Sequence, residues 1–170
     1  MKMRAKSGFT LVEILIVVVL LGLIAAIVIP MAANSTTTAK GSSLSHGVQM
    51  VRRYILVYRS QHQEVAPGYP DGDTNDTPTE QAFVDQITAS SRVSGETAVV
   101  GTAGYDFGPY LMRMPENPFN GRSTIQMLGD GEAFPAAGDN SHGWIYKAST
   151  FEIRPDNSGS DLDGKLYYEY

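Results

Sequence analysis

One stretch of this chain is apolar at nearly every position. Across residues 9–29 only Thr10, Glu13 and Gly22 interrupt a run of aliphatic side chains headed by Phe9. As a helix, at ~1.5 Å per residue, it would span roughly 30 Å, the thickness of a bilayer's hydrocarbon core. In lipid no water reaches the backbone polar groups, and one segment cannot close a barrel, so a spanning segment must be helical. Beyond Pro30 the chain turns polar and rich in Ser and Thr, from Asn34 to Ser45. Leu44, Val48, Val51, Ile55 and Tyr58 then recur in alternating steps of four and three, which places them on one face of a helix. Arg52, Arg53 and Arg59 fall off that stripe. The pattern predicts one helix from Phe9 to about Gln63, apolar all round at first and amphipathic in its second half. Gly41 and the Thr run are weak helix formers and mark where it would break.

Pro67-Gly68-Tyr69-Pro70 is a dense turn signal that must lie beyond the helix. Thr77-Pro78-Thr79-Glu80 reads as a second helix start, with Thr77 as N-cap, Pro78 in the first turn and Glu80 as capping-box partner. Ala82, Phe83 and Ile87 would be its buried side. Residues 95–108 are irregular, with a short strand at 97–100. Residues 124–128, 143–148, 151–154 and 166–170 are short and rich in β-branched or aromatic side chains, as strands are. Residues 147–150 would form the hairpin turn between two of them. The expected class is α+β: a long N-terminal helix whose stripe is covered by a small antiparallel sheet. Four segments follow: residues 1–8, the apolar helix 9–30, its amphipathic continuation 31–64, and a body at 65–170.

Charge changes the picture in two ways. Lys2, Arg4 and Lys6 precede the apolar run with no acid among them. Such a cluster stays on the cytoplasmic side of a membrane, which puts the body on the far side. The chain has 13 Lys and Arg against 18 Asp and Glu, so without the three basic residues of the cluster the remainder is acidic on balance. An acidic body without a basic stripe argues against nucleic acid and against anionic lipid headgroups. There are no cysteines, which excludes disulfides, thiolate catalysis and Cys-ligated metals.

A cleaved secretory signal fits the apolar run poorly. Its core should be ~7–15 residues and end in a small-x-small site, and Met31-Ala32-Ala33 is a poor one. A plain single-pass anchor explains length and orientation but leaves Glu13 unexplained, since a carboxylate in a membrane helix costs ~3 kcal/mol by insertion scales. The segment Lys6-Ser7-Gly8-Phe9-Thr10-Leu11-Val12-Glu13-Ile14-Leu15 resembles the signal of type IV prepilins and type II secretion pseudopilins. That resemblance implies a pilin-like fold, cleavage by a prepilin peptidase between Gly8 and Phe9, and N-methylation of Phe9. It further implies an assembly role for Glu13, and local melting between Gly22 and Pro30 when subunits pack; an ordinary kink at Pro30 is the other reading. The implied partners are other copies of the chain, an inner-membrane assembly platform driven by a cytoplasmic ATPase, and minor pseudopilins. The implied place is a bacterial inner membrane, single pass, with the N-terminus cytoplasmic and the body periplasmic, before a periplasmic or extracellular filament forms. Gly108-Pro109-Tyr110-Leu111 with Pro115 and Pro118, then Trp144-Ile-Tyr146 and Glu152-Ile153, resemble the body of the major pseudopilin in particular. Within the family this favours a structural subunit of a secretion pseudopilus over a type IV pilus subunit. A monomeric membrane-anchored binding module is the competing class.

No enzyme signature is present. His46, His62 and His142 are scattered outside any metal spacing, and no nucleophile elbow, P-loop or dinucleotide fingerprint occurs. Asp71-Gly-Asp-Thr-Asn75 begins like a calcium loop, but Asp76 stands where Gly is needed and Ala82 where the bidentate Glu should be, so it reads as a solvated loop. Asp156, Asn157, Asp161 and Asp163, with Gly159 and Gly164, form a second acidic cluster. Calcium, held through oxygen ligands, is the candidate cation there, and a bare polar turn is the alternative.

Overall fold

The computed structural model describes residues 8–170. The chain divides into two compact units, Met1–Thr38 and Ala39–Tyr170. Helix α1 (Leu11–Gln61) contributes to both and runs through Gly22, Pro30 and Gly41. In the first unit the described side chains from Leu11 to Ile29 are exposed. The window of highest mean hydropathy, 3.2, lies on this helix and is entirely unburied, so the helix is long and apolar enough to cross a membrane. Ser35, Thr36 and Thr38 return their hydroxyls to the carbonyls of Met31, Ala32 and Asn34, each at 3.0 Å. Back-bonding of this kind satisfies hydroxyls without water, which lets a Ser/Thr-rich stretch stay helical.

In the second unit the predicted stripe is the core. Leu44, Val48, Val51, Ile55 and Tyr58 are all fully buried, together with Phe83, Ile87, Trp144, Tyr146 and Ile153. Each such aliphatic side chain contributes ~1.5–3 kcal/mol of transfer free energy. The chain leaves α1 through Gln63 and Glu64, both in left-handed conformation, with the Glu64 amide donating to the Arg59 carbonyl. Helix α2 (Glu80–Thr88) begins two residues later than its sequence pattern suggests. Its N-cap is Thr79, whose hydroxyl accepts from the Ala82 amide at 3.1 Å. With Pro78 before it and extended backbone at Thr79, Glu80 falls in the first helical position. It cannot reach back as a capping partner and instead accepts from the Ile125 amide at 2.8 Å, tying α2 to the sheet. Phe83 and Ile87 are buried as expected, Ala82 only partly.

Strands β1 (Ser90–Ser91) and β2 (Thr97–Ala98) pair antiparallel. β3 (Ile125–Leu128), β4 (Trp144–Lys147) and β5 (Glu152–Pro155) form a three-stranded sheet in that order. β4 and β5 make the expected antiparallel hairpin, closed by a 3₁₀ turn at Ala148–Thr150 and a left-handed Phe151. β3 pairs parallel to β4, so this sheet is mixed. Parallel neighbours need a long connection, and residues 129–143 supply it. Along β4, Trp144 and Tyr146 face the main core, while Ile145 joins Leu128 and Tyr168 in a smaller cluster on the other face. Residues 166–170 are not a strand. They close as a 3₁₀ turn, Tyr167–Glu169, because the amides of Glu169 and Tyr170 are taken by Leu166 and Tyr167.

Candidate functional site

Gly8, Phe9 and Thr10 precede α1 and are exposed. Thr10 is the N-cap, and it forms a capping box with Glu13. The Glu13 amide donates to the Thr10 hydroxyl oxygen at 3.2 Å, and the Glu13 carboxylate accepts from the Thr10 amide at 2.8 Å. The Thr10 hydroxyl donates to the same carboxylate oxygen at 2.8 Å. The T-x-x-E spacing announces this box, yet reading the segment for its charge alone passes over Thr10. Glu13 has no ion pair among the described residues. Around it Phe9, Leu11, Val12, Ile14 and the following aliphatics are 52–84% exposed. A Cβ added at Gly8 or at Gly22 would meet nothing within 4 Å. By contrast Gly41 and Gly47 lie against Tyr167 and Trp144. Gly22 costs its helix ~1 kcal/mol relative to Ala with no return from packing inside this chain. A naked apolar helix, a lone carboxylate and two uncontacted glycines therefore point to contacts outside the chain.

Residues 3–29 match the family described as the prokaryotic N-terminal methylation motif. The match takes in Gly8, Phe9, Glu13 and Gly22. The type II secretion system core protein G of Aeromonas hydrophila is 26% identical over 132 residues, 78% of this chain and 79% of that protein. The same-named protein of Klebsiella pneumoniae is 26% identical over 130 residues, 76% and 79%. That of Pseudomonas aeruginosa is 36% identical over 59 residues, 35% and 42%. This chain is similar to type II secretion pseudopilins. No solved structure gives a significant match.

The acidic segment near the chain's end is tied down by its own chain. Asp156 is fully buried, and both its oxygens are occupied by its own chain. Oδ1 accepts from the amides of Asp139 and Asn140, and Oδ2 from the His142 amide and the Ser141 hydroxyl. Asn157 is buried against Asn117 and Asn140. Asp161 organises a separate turn: Oδ1 accepts from the Asp163 and Lys165 amides at 2.9 Å each, and Oδ2 from the Tyr170 hydroxyl at 2.6 Å. That hydroxyl above all holds Asp161 below the usual carboxylate range, and the same bond helps push Tyr170 up to about 12. Asp163 is exposed. Among the described residues no group of three or more His, Cys, Asp or Glu side chains is placed to hold a metal ion.

His62 is the buried histidine. It stacks on Tyr58 with centroids 3.7 Å apart, Nδ1 lies 2.7 Å from the Tyr58 carbonyl and Nε2 lies 2.9 Å from the Ser91 hydroxyl. A carbonyl only accepts, so Nδ1 carries the proton and Nε2 accepts from Ser91. Burial holds His62 below its ordinary value, against a smaller upward pull from the Tyr58 and Arg92 carbonyls. This is a core histidine that pins the end of α1 to β1.

Proposed function

We propose that this chain is a structural subunit of a type II secretion pseudopilus, cut and N-methylated at its N-terminus and assembled into a helical filament. The observation that carries this reading is an apolar, exposed helix with a single carboxylate in its first turn, shortly after Gly8, where an added Cβ would meet nothing within 4 Å among the described residues. A side chain missing at Gly8 gives a protease close access to the Gly8–Phe9 peptide bond. Cleavage removes Lys2, Arg4 and Lys6, which otherwise hold the segment at the cytoplasmic face. It leaves a cationic amine on Phe9, four positions before Glu13 and just ahead of the first turn of α1.

Glu13 then has two uses. In the single chain its carboxylate is held by the Thr10 amide and hydroxyl, so it is not left bare among aliphatic side chains. In a bundle of staggered helices it meets the Phe9 amine of a neighbour. Opposite charges in a low-dielectric core penalise any register that leaves one unpaired, so Glu13 sets axial register more than raw stability. Gly22 and Pro30 bracket the segment that opens most easily: Gly22 is the weak helix former and Pro30 offers no amide to the carbonyl of Ala26. The body lies in the periplasm, and the partners are the prepilin peptidase, the inner-membrane assembly platform, minor pseudopilins and other copies.

The test is the N-terminal residue and mass of the protein from its own membranes. A start at Phe9, heavier by one methyl group, supports the reading; a start at Met1 favours a plain anchor and overturns it. Glu13→Ala is expected to insert and be cut but to leave chemically cross-linked oligomers undetectable. Normal filaments from that variant would withdraw the role of Glu13.

A further inference from the structure

We propose that the loop apex Met112–Arg113 is a docking knob that seats on the acidic loop 71–76 of a second copy of this chain. The proposal rests on the filament reading and names a contact between bodies within it. Met112 is 97% exposed, the most exposed large apolar side chain among the described residues. Its neighbour Arg113 is exposed and has no ion pair among the described residues. The apex is nevertheless anchored on both sides. The amides of Tyr110 and Leu111 donate to the Ile87 carbonyl at 2.9 and 3.0 Å. The Tyr110 hydroxyl donates to Gln61 at 2.6 Å. On the far side Met114 is buried, and Trp144 Nε1 donates to the Pro115 carbonyl at 2.9 Å. An apolar and cationic pair held out on fixed supports loses little conformational freedom on binding, and Met and Arg are enriched at interface cores.

Charge complementarity selects the occupant. Between Arg59 and Arg92 the sequence has no Lys or Arg, while Asp71, Asp73, Asp76, Glu80 and Asp85 all fall there. Asp71, Asp73 and Asp76 are exposed and without a cationic partner among the described residues. Their loop is as fixed as the apex. The amides of Gly72, Asp73 and Asp76 donate to Tyr69, Pro70 and Asp73, and Gly72, at φ 76°, is pressed so closely on the Ser94 carbonyl that a Cβ would strike it. One body thus carries a cationic knob and an acidic seat on different loops. Open helical assembly requires two different, complementary surfaces on each copy, whereas a two-fold dimer would set like against like.

The chain has no cysteine, so engineered pairs report this contact without background. The full chain carrying Met112→Cys and Asn75→Cys, expressed with its peptidase and oxidised in membranes, is expected to give a ladder of dimers, trimers and higher species. Each single-cysteine variant should give no ladder. Adding Arg113→Glu should reduce the ladder about tenfold through like-charge repulsion, and Asp76→Arg in the same chain should restore it. Circular dichroism of each variant confirms that these exposed substitutions leave the fold intact. A paired-cysteine variant that stays monomeric, while formaldehyde links the unaltered chain into a ladder, overturns the contact and leaves the filament reading standing. So does a ladder indifferent to Arg113→Glu. No formaldehyde ladder from the unaltered chain overturns the filament reading and this contact with it.

Discussion

His62 illustrates how one side chain carries both packing and pH sensitivity. Its folded-state value lies below the ordinary 6.5 because burial disfavours the imidazolium. The unfolded chain therefore binds more protons just beneath that value. Stability is complete above it and is lost as pH falls through the window down to the folded-state value. Melting of the full chain in detergent is expected to weaken as pH falls below the ordinary histidine value of 6.5. His62→Gln should melt lower at pH 7 and show a flatter profile; an equally steep profile would count against the assignment. Asp156 is the second decisive residue. Its carboxylate accepts from three backbone amides and one hydroxyl, so Asp156→Asn turns a donor toward donors. A loss of ~1.5–3 kcal/mol is expected in denaturant unfolding, the scale of hydrogen bonds to a charged group. Neither role is visible in sequence, where a lone histidine and a run of acids look alike whether buried or solvated.

At the scale of elements, adjacent positions on α1 have opposite fates. Ile55 is 1% exposed and Leu56 58% exposed. Ile55→Ala should cost ~2–5 kcal/mol through lost transfer energy and a cavity. Leu56→Ala should change unfolding by less than ~0.5 kcal/mol. Comparing the two by urea titration checks that the stripe faces the body. This pattern was legible in sequence because a period of 3.6 has only one solution over five apolar positions. The start of α2 was not, because both Thr77 and Thr79 are good caps, and the outcome turned on which amide the neighbouring loop takes: Thr79 donates to Gly68. The turn at Tyr167–Glu169 was misread as a strand for a related reason. Its two buried tyrosines alternate between faces, as in a strand, but after the Tyr167 amide donates to Gly159 the amides of Glu169 and Tyr170 turn back on Leu166 and Tyr167.

For the whole molecule, the first unit is complete only in company. An exposed aliphatic helix requires lipid or other helices, and among the described residues Gly8 and Gly22 meet no side chain while Glu13 serves only the Thr10 cap. Removing that cap by Thr10→Ala should fray the start of α1, worth ~1 kcal/mol, and take the hydroxyl donor from Glu13; hydrogen exchange in lipid at residues 11–13 would measure it. The apolar span, the lone carboxylate within it and the amphipathic stripe were legible from the order of residues alone. Each depends on local composition or on a single helical period, which no tertiary contact alters. The parallel pairing of β3 with β4, the separate loops served by Asp156 and Asp161, and the burial of Gln86 on Gly68, Tyr69 and Gly95 arise only once the chain is folded. These are contests between distant groups for the same buried hydrogen bonds, and their winners depend on which groups the fold brings within about 3 Å of one another.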